Sequence, residues 1–391
     1  MRKISADHIF PVSSEPIKNG VITIDDKGMI VNIESGSEDK LSGIEYFSGI
    51  ICPGFINSHC HLELSHLHAQ VSEKTGMTGF IKELIDKRTS FTTLEIQHAI
   101  EKAEAEMKKN GIVAVGDISN NNSTFQQKEK NNLDYHTFIE IFSIDPGKAE
   151  ETIEKGIKLS AELSKLNLRN SIVPHAPYTM SENLLDLINQ RALENNSILS
   201  IHNQESEGES ELFISNSGVM FDTFTSMGIN PSLMRKTGLN SLMSTLPHLN
   251  NASKLLLVHN TFTSKEDLDW IKLNLSSQIY FCTCPNANIY IENKLPDYNL
   301  FKRENAAMTI GTDSLASNWG LSILDELKTI TKNYPQIPLQ ILLAWATKNG
   351  ADLLGFNKLG TIEKGKTPGL NLLKNVDGMM ISEKTEVLKL V

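Results

Sequence analysis

Residues 49–67 read G-I-I-C-P-G-F-I-N-S-H-C-H-L-E-L-S-H-L. A β-branched apolar run leads into a Pro-Gly turn signal at Pro53-Gly54, and a second short run, Phe55-Ile56, ends in His59-Cys60-His61. On an extended segment residues i and i+2 point to the same side. His59 and His61 therefore present both imidazoles to one point, where a divalent metal can sit. A His-x-His pair also arises by chance in many soluble proteins. Its meaning depends on whether the rest of the chain supplies further ligands at the spacing one fold requires.

Working outward, residues from about 53 to 350 alternate short apolar runs with longer amphipathic stretches, the pattern of parallel strands joined by crossover helices. Strands are predicted at 55–59, 112–118, 136–142, 171–175, 198–202, 255–259, 278–282 and 307–313. Helical stretches, for instance 94–109, 148–166, 181–195 and 265–273, lie between them. Eight βα units over about 300 residues is the count of an α/β fold of the (β/α)8 TIM-barrel type. Ahead of it, strand-like pieces at 3–12, 20–24 and 29–33 are separated by turn signals and form a distinct β-rich segment.

In such a barrel, chemistry sits at the C-terminal ends of the strands. The first predicted strand ends in His59 and His61, the fourth in His175, the fifth in His202, the sixth in His259 and the eighth in Asp313. Singly, each histidine reads more readily as a satisfied structural residue; together, at five strand ends, they read as a site. His8, His66, His68, His98, His136 and His248 have no such placement and read as structural or solvated.

Composition narrows the classes of function. The 391 residues carry a net charge of −10 without a basic cluster, which excludes nucleic acid and anionic membrane surfaces as expected partners and leaves a small-molecule substrate. The N-terminus lacks the apolar core of a signal peptide, and no run of about 18 apolar residues is present to span a bilayer. Cys52, Cys60, Cys282 and Cys284 do not make a disulfide framework in a chain of this length. Cys282-Thr283-Cys284 reads as a pair of buried thiols rather than metal ligands. A cytoplasmic location is expected.

The chain resembles the amidohydrolase superfamily, in its branch of metal-dependent deaminases and chlorohydrolase-like enzymes, over essentially its whole length. The resemblance is carried by P-G-F-I-N-S-H-C-H (53–61), H-A-P-Y (175–178), H-N-Q-E (202–205), His259, C-P-N-A-N (284–288) and G-T-D-S-L-A-S-N (311–318). The last, with L-S-I-L-D-E after it, is similar to deaminases of adenosine-like, guanine-like and aminofutalosine-type substrates. The resemblance implies that His59, His61, His202 and Asp313 hold one divalent metal, zinc in the first place with iron as the alternative. Three imidazoles and a carboxylate leave a position open for water, whose pKa the metal lowers. Asp313 is then expected to accept the water's proton, His259 to orient the hydroxide, and Glu205 to protonate a ring nitrogen and later the departing ammonia. Glu205 stands in a run with Glu207, Glu209 and Glu211 that alone reads as a solvated first helical turn; its place three residues after His202 marks it as catalytic. Binuclear members carry a lysine on the fourth strand, and S-I-V-P-H-A-P-Y (171–178) offers none, so a mononuclear site is expected.

For substrate contacts, His175 and Tyr178 resemble the family's substrate-facing residues. Glu63 in H-L-E (61–63) is similar to aminofutalosine-type deaminases, or caps a nearby helix; Asn286 and Asn288 suit a ribose or ring carbonyl, or brace their loop. T-G-M-T-G-F-I-K-E-L-I-D-K-R (75–88) reads as a Gly-hinged lid on which Lys82, Glu83 and Arg88 either read the substrate or are surface charge. G-T-I-E-K-G-K (360–366) is similar to the element that returns the family's C-terminal strands to the N-terminal ones, although T-P-G-L-N-L-L (367–373) replaces the usual Ala-Asp-Leu-Val-like strand. The implied organisation is a small β-sandwich domain built from both chain ends, residues 1–52 and 356–391, around a barrel at 53–355. The implied function is hydrolytic deamination of a purine-like base, nucleoside or aminofutalosine-like compound by metal-bound hydroxide. The alternative is a hydrolase of the same scaffold acting on a cyclic amide or another C–N or C–Cl leaving group, with Glu205 arguing against chloride. A non-catalytic barrel is expected to have lost a ligand, and none is missing. A homodimer is compatible with the fold, without residue-level support.

Overall fold

In the computed structural model, which describes residues 1–35 and 43–391, the Pro53-Gly54 turn divides the opening stretch between two sheets. Glu45–Pro53 belongs to an outer sheet and Phe55–Cys60 is the first barrel strand. Residues 36–42, part of the expected N-terminal segment 1–52, lie outside the described residues. Gly54 is required at the divide, because a Cβ there would stand 2.4 Å from the Val113 side chain and 2.8 Å from the Pro368 carbonyl oxygen.

The barrel strands are Phe55–Cys60, Ile112–Ser119, Asp134–Ile141, Arg169–Pro174, Ile198–Asn203, Lys254–His259, Gln278–Thr283 and Met308–Ile310. The first four pair in parallel in chain order, and so do the last four. They read as nearly continuous apolar runs because they are buried on both faces, by helices outside and by one another's side chains within. Hydrogen bonds join the two four-stranded halves: Thr312 N and Asp313 N donate to His59 O at 3.0 and 3.1 Å, and His202 N donates to His175 O at 2.9 Å. The eighth strand is shorter than the predicted 307–313, since residues 311–313 leave the ladder to cross over His59, with Asp313 in the left-handed region at φ +57°.

Crossover helices begin where side chains satisfy their first free N–H groups. Thr92 and Glu95 form a capping box ahead of Thr93–Lys109, Ser264 and Asp267 do the same for Lys265–Asn274, and Ser181 caps Glu182–Asn195. The predicted lid is a helix, Gly76–Lys87, turning Met77 and Phe80 inward.

Strands from both chain ends meet in the outer sheet. Arg2–Ile9, Ile17–Lys18, Val21–Ile24, Ile30–Glu34 and Glu45–Pro53 are joined by Leu370–Lys374, antiparallel to Glu45–Pro53, and by Glu386–Lys389. The pairing makes one hydrogen-bonded seven-stranded sheet from strands of both chain ends. Ile4, Ile9, Ile22, Ile30, Ile51 and Leu372 form a buried cluster of their own there, to which Ile362 adds from the returning chain. Among the described residues no helix is long and apolar enough to cross a membrane.

A buried ion pair fixes the exit of the first strand. Asp117, on the second barrel strand, accepts the Leu62 N–H at 2.9 Å, and Lys128 Nζ lies 2.6 Å from its other oxygen, both side chains fully buried. Lys128 also donates to Ser119 Oγ at 3.0 Å and Thr137 Oγ1 at 3.1 Å. Removing one partner of such a pair leaves an uncompensated buried charge. Lys128→Met is therefore expected to destabilise the fold by about 3–5 kcal/mol, read as a lowered urea midpoint; a midpoint equal to wild type would contradict it.

Candidate active site

The strand ends bring His59, His61, His202, His259 and Asp313 to one buried place. His61 Nε2 lies 3.1 Å from His59 Nε2 and 3.3 Å from His202 Nε2; Asp313 Oδ1 lies 3.4 Å from His61 Nε2 and 3.6 Å from His59 Nε2. The tautomer of His202 follows from its neighbour. Its Nδ1 sits 2.8 Å from the His175 carbonyl oxygen, which only accepts, so Nδ1 carries the proton and Nε2 turns a lone pair toward His61. His259 Nδ1 likewise faces Asn288 Oδ1 at 2.8 Å, leaving its Nε2 bare 3.4 Å from Glu205 Oε1.

This donor set fits a small divalent cation. Zinc–nitrogen bonds of about 2.0–2.1 Å put tetrahedral neighbours about 3.3–3.4 Å apart, close to the spacings of the cluster. Burial holds His61 and His259 at about 4, and pushes His202 below its ordinary range, so these imidazoles are neutral and free to coordinate. The backbone hydrogen bond of His202 and the Asn288 contact of His259 are the outer partners that metal-binding imidazoles use to fix ring and tautomer.

The two carboxyl groups facing the cluster are driven in opposite directions. Burial alone would raise Asp313, but the imidazoles of His59, His61 and His259 hold it well below the carboxylate range, and Ser317 Oγ donates to its Oδ2 at 2.5 Å. Burial, with Asp313, Glu209 and Glu292 nearby, pushes Glu205 well above that range. The glutamate run that looked solvated is divided by the fold. Glu207 and Glu211 are exposed, whereas Glu209 is buried and accepts the backbone N–H groups of Gln204 at 3.2 Å and Glu205 at 3.3 Å.

These groups open on a cavity of about 350 Å³. His61, His175, Tyr178, His202, Glu205, His259 and Asp313 line it, while His59 lies fully buried behind. Two expected substrate contacts are elsewhere. The Glu63 carboxylate is outside the cavity wall and accepts from Asn120 N at 3.1 Å and Asn121 Nδ2 at 2.9 Å, bracing the loop after the second strand. Asn288 is also outside the wall, turned onto His259; Asn286 holds Glu326 through its backbone N–H at 2.8 Å. On the predicted lid, Arg88 lines the cavity; Lys82 does not, and Glu83 accepts from Ser72 N at 2.9 Å.

Glu140 escaped the sequence reading. It stands next to last on the third strand, lines the cavity, accepts from Asn120 Nδ2 at 2.8 Å, and places Oε2 3.6 Å from His202 Nδ1. An acid between apolar residues in F-I-E-I-F (138–142) was the available signal.

The fold and donor set are those of a metal-dependent hydrolase. The chain belongs to the amidohydrolase family, hydrolases of carbon–nitrogen bonds, whose sequence profile matches residues 50–388. It is similar to an adenosine deaminase of Helicobacter pylori, 29% identical over 334 residues that cover 83% of this chain and 79% of that protein. The crystal structure of Helicobacter pylori aminofutalosine deaminase in complex with methylthio-coformycin matches with a TM-score of 0.80, at 24% identity and over 96% of this chain and 93% of that one. An adenosine deaminase structure from Xanthomonas campestris with bound zinc matches at 0.73 and 18% identity, over 95% and 84% of the two chains. At these identities the structures bear on the fold.

If the cluster holds a single cation, stripping the protein with a chelator is expected to lower Tm by several degrees and zinc to restore it, because binding to the folded state alone stabilises that state. Elemental analysis of Asp313→Asn and His202→Ala is expected to show loss of the bound equivalent. Full occupancy in both variants would contradict the assignment.

Proposed function

We propose that this protein is a hydrolytic deaminase of an aminated purine-like heterocycle, in the form of a base, a nucleoside or an aminofutalosine-like compound. The observation that carries the reading is Glu205, a carboxyl group buried in the same cavity wall as the imidazole and Asp313 cluster, where burial favours its protonated form. Expelling ammonia from an aromatic ring requires a proton donor beside the ring nitrogen and then the leaving nitrogen, and a neutral carboxyl at this place supplies it. The kinship with adenosine and aminofutalosine deaminases supports the same substrate class.

In this reading His59, His61, His202 and Asp313 hold one zinc ion, the metal their nitrogen-rich donor set favours. A divalent cation supplies Lewis acidity and makes a hydroxide nucleophile available near neutral pH. Asp313, ionised and steadied by Ser317, accepts the proton of the attacking water. His259, its Nδ1 committed to Asn288, turns Nε2 toward Glu205 and orients that water by accepting a hydrogen bond. His175 and Tyr178 flank the ring, and the apolar cavity keeps out bulk water that would compete for Glu205.

Ammonia release should be followed with metal-loaded protein on adenine, adenosine and 5′-substituted adenosines. Wild type is expected to release ammonia from at least one, and Glu205→Gln to lower kcat by about 10²–10⁴-fold while retaining its metal. No release from any of them at full metal occupancy would overturn the deaminase reading in favour of a hydrolase acting on other leaving groups.

A further inference from the structure

The helix Gly76–Lys87 supplies one wall of the cavity, through Met77, Phe80, Ile81, Leu84 and Ile85. Its start is unlike those of Thr93–Lys109, Glu182–Asn195 and Lys265–Asn274, which the preceding Thr92, Ser181 and Ser264 cap. Thr75 already lies in the helical region, at φ −88° and ψ −1°, and its side chain accepts nothing from the first turn, which also lacks an acidic residue. The free N–H groups of a helix start need an acceptor, and the positive end of the helix dipole favours an anionic one. Here it comes from another element: Met77 N–H donates to Glu292 Oε1 at 2.8 Å.

Glu292 stands where its own helix disfavours it. It is the half-buried last residue of Pro285–Glu292, at the negative end of that helix's dipole. Burial raises its pKa, and the Met77 N–H opposes the shift. The start of Gly76–Lys87 thus offsets a cost that Glu292 bears at its own position. The same short helix also holds the chain ahead of the wall. Tyr290 Oη donates to Val71 O at 2.6 Å, and Lys74 N donates to Tyr290 O at 2.5 Å. Lys74 and Gly76, at φ +58° and +68°, then bend the chain into the wall helix. One turn before Glu292, Asn288 Oδ1 receives His259 Nδ1 at 2.8 Å. A single two-turn helix therefore meets the cavity wall at one end and the imidazole of His259 nearer the other.

We propose that Glu292 is a positioning residue for substrate binding: as the N-cap of the wall helix, supplied from outside it, it holds the row from Met77 to Ile85 in place relative to His259. The cap stands on the geometry; that the wall closes on an aminated heterocycle rests on the deaminase reading.

Hydrogen exchange of metal-loaded full-length protein tests the cap without any substrate. Loss of an N-cap acceptor is expected to speed local opening by about 2- to 30-fold. Glu292→Ala should raise exchange in residues 77–84 by that factor and Glu292→Gln, which keeps an acceptor, by less, with the strand Lys254–His259 and the metal content as in wild type. Unchanged exchange at 77–84 overturns the proposal, and so does an equal rise in the strand, which would mean general loosening of the fold. In the ammonia assay, on whichever adenine derivative wild type deaminates, Glu292→Ala is expected to raise KM by about 2- to 30-fold with kcat within about threefold, and Glu292→Gln to recover most of the KM. An unchanged KM, or a loss confined to kcat, overturns the positioning role. No ammonia release from wild type overturns the deaminase reading alone, and exchange at 77–84 then decides the role of Glu292.

Discussion

Two carbonyl oxygens, those of His59 and His175, hold the barrel and the site together. The eight strands form two four-stranded halves, and each seam between them is closed at one of these oxygens. His59 O accepts from Thr312 N and Asp313 N, and His175 O accepts from both the backbone N–H and the imidazole Nδ1 of His202. Asn57 and Thr312 tie the first seam again from their side chains, Nδ2 to Oγ1 at 2.8 Å and N–H to Oδ1 at 3.1 Å. The residues that close the barrel are therefore the ones that carry the donor atoms. Moving a ligand by a few tenths of an ångström would mean opening a seam, which gives the cluster a rigidity that loops could not supply.

Burial inside that closure shifts the titration of groups around it. It lowers the pKa of His61, His202 and His259 and raises that of Glu205. Asp313 escapes the same pressure because the imidazoles of His59, His61 and His259 favour its ionised form. Two carboxyl groups in one pocket are thus shifted in opposite directions, the arrangement that assigns acid and base in many hydrolytic sites. The upward shift of Glu205 would relax in a wetter pocket, so the apolar walls belong to the chemistry as much as to recognition.

What could be read from the sequence was what has a period or an end. Buried parallel strands leave apolar runs, so all eight barrel strands were legible, and a histidine or aspartate terminating such a run was a visible signal for His59, His202, His259 and Asp313. Direction was not legible. Glu63 and Asn288 stand beside the cluster in sequence, yet one turns to brace Asn120 and Asn121 and the other turns onto His259. Glu140 was hidden because its strand continues past it, so the acid did not mark an end. Lys128 was hidden for a different reason: a lysine in Q-Q-K-E-K (126–130) looks like solvated charge until the fold buries it against Asp117.

The backbone at the strand ends completes the link between fold and chemistry. His259 and Asp313 lie in the left-handed region at φ +72° and +57°, and Gln204 and Asn260 join them at +44° and +56°. For residues other than glycine this conformation costs on the order of 1–2 kcal/mol each, so the surroundings must impose it. They do so with buried hydrogen bonds. Asn260 donates from Nδ2 to Leu257 O and Cys282 O at 2.8 and 3.0 Å and accepts from Asn203 at 3.0 Å, locking the bend after the sixth strand. Glu209 clamps the Gln204 and Glu205 amides, while Gln204 itself is held by Asp267 and Thr263. Gly311 allows the last bend, since a Cβ there would meet His59 O and Cys282 Sγ, both at 2.8 Å. The bends at His259 and Asp313 aim side chains off the strand direction and into the cavity, while Gln204 and Asn260 turn theirs into the hydrogen bonds that sustain the bends beside them. The polar residues immediately around these bends are thus as necessary to the geometry of the site as the histidines the bends deliver.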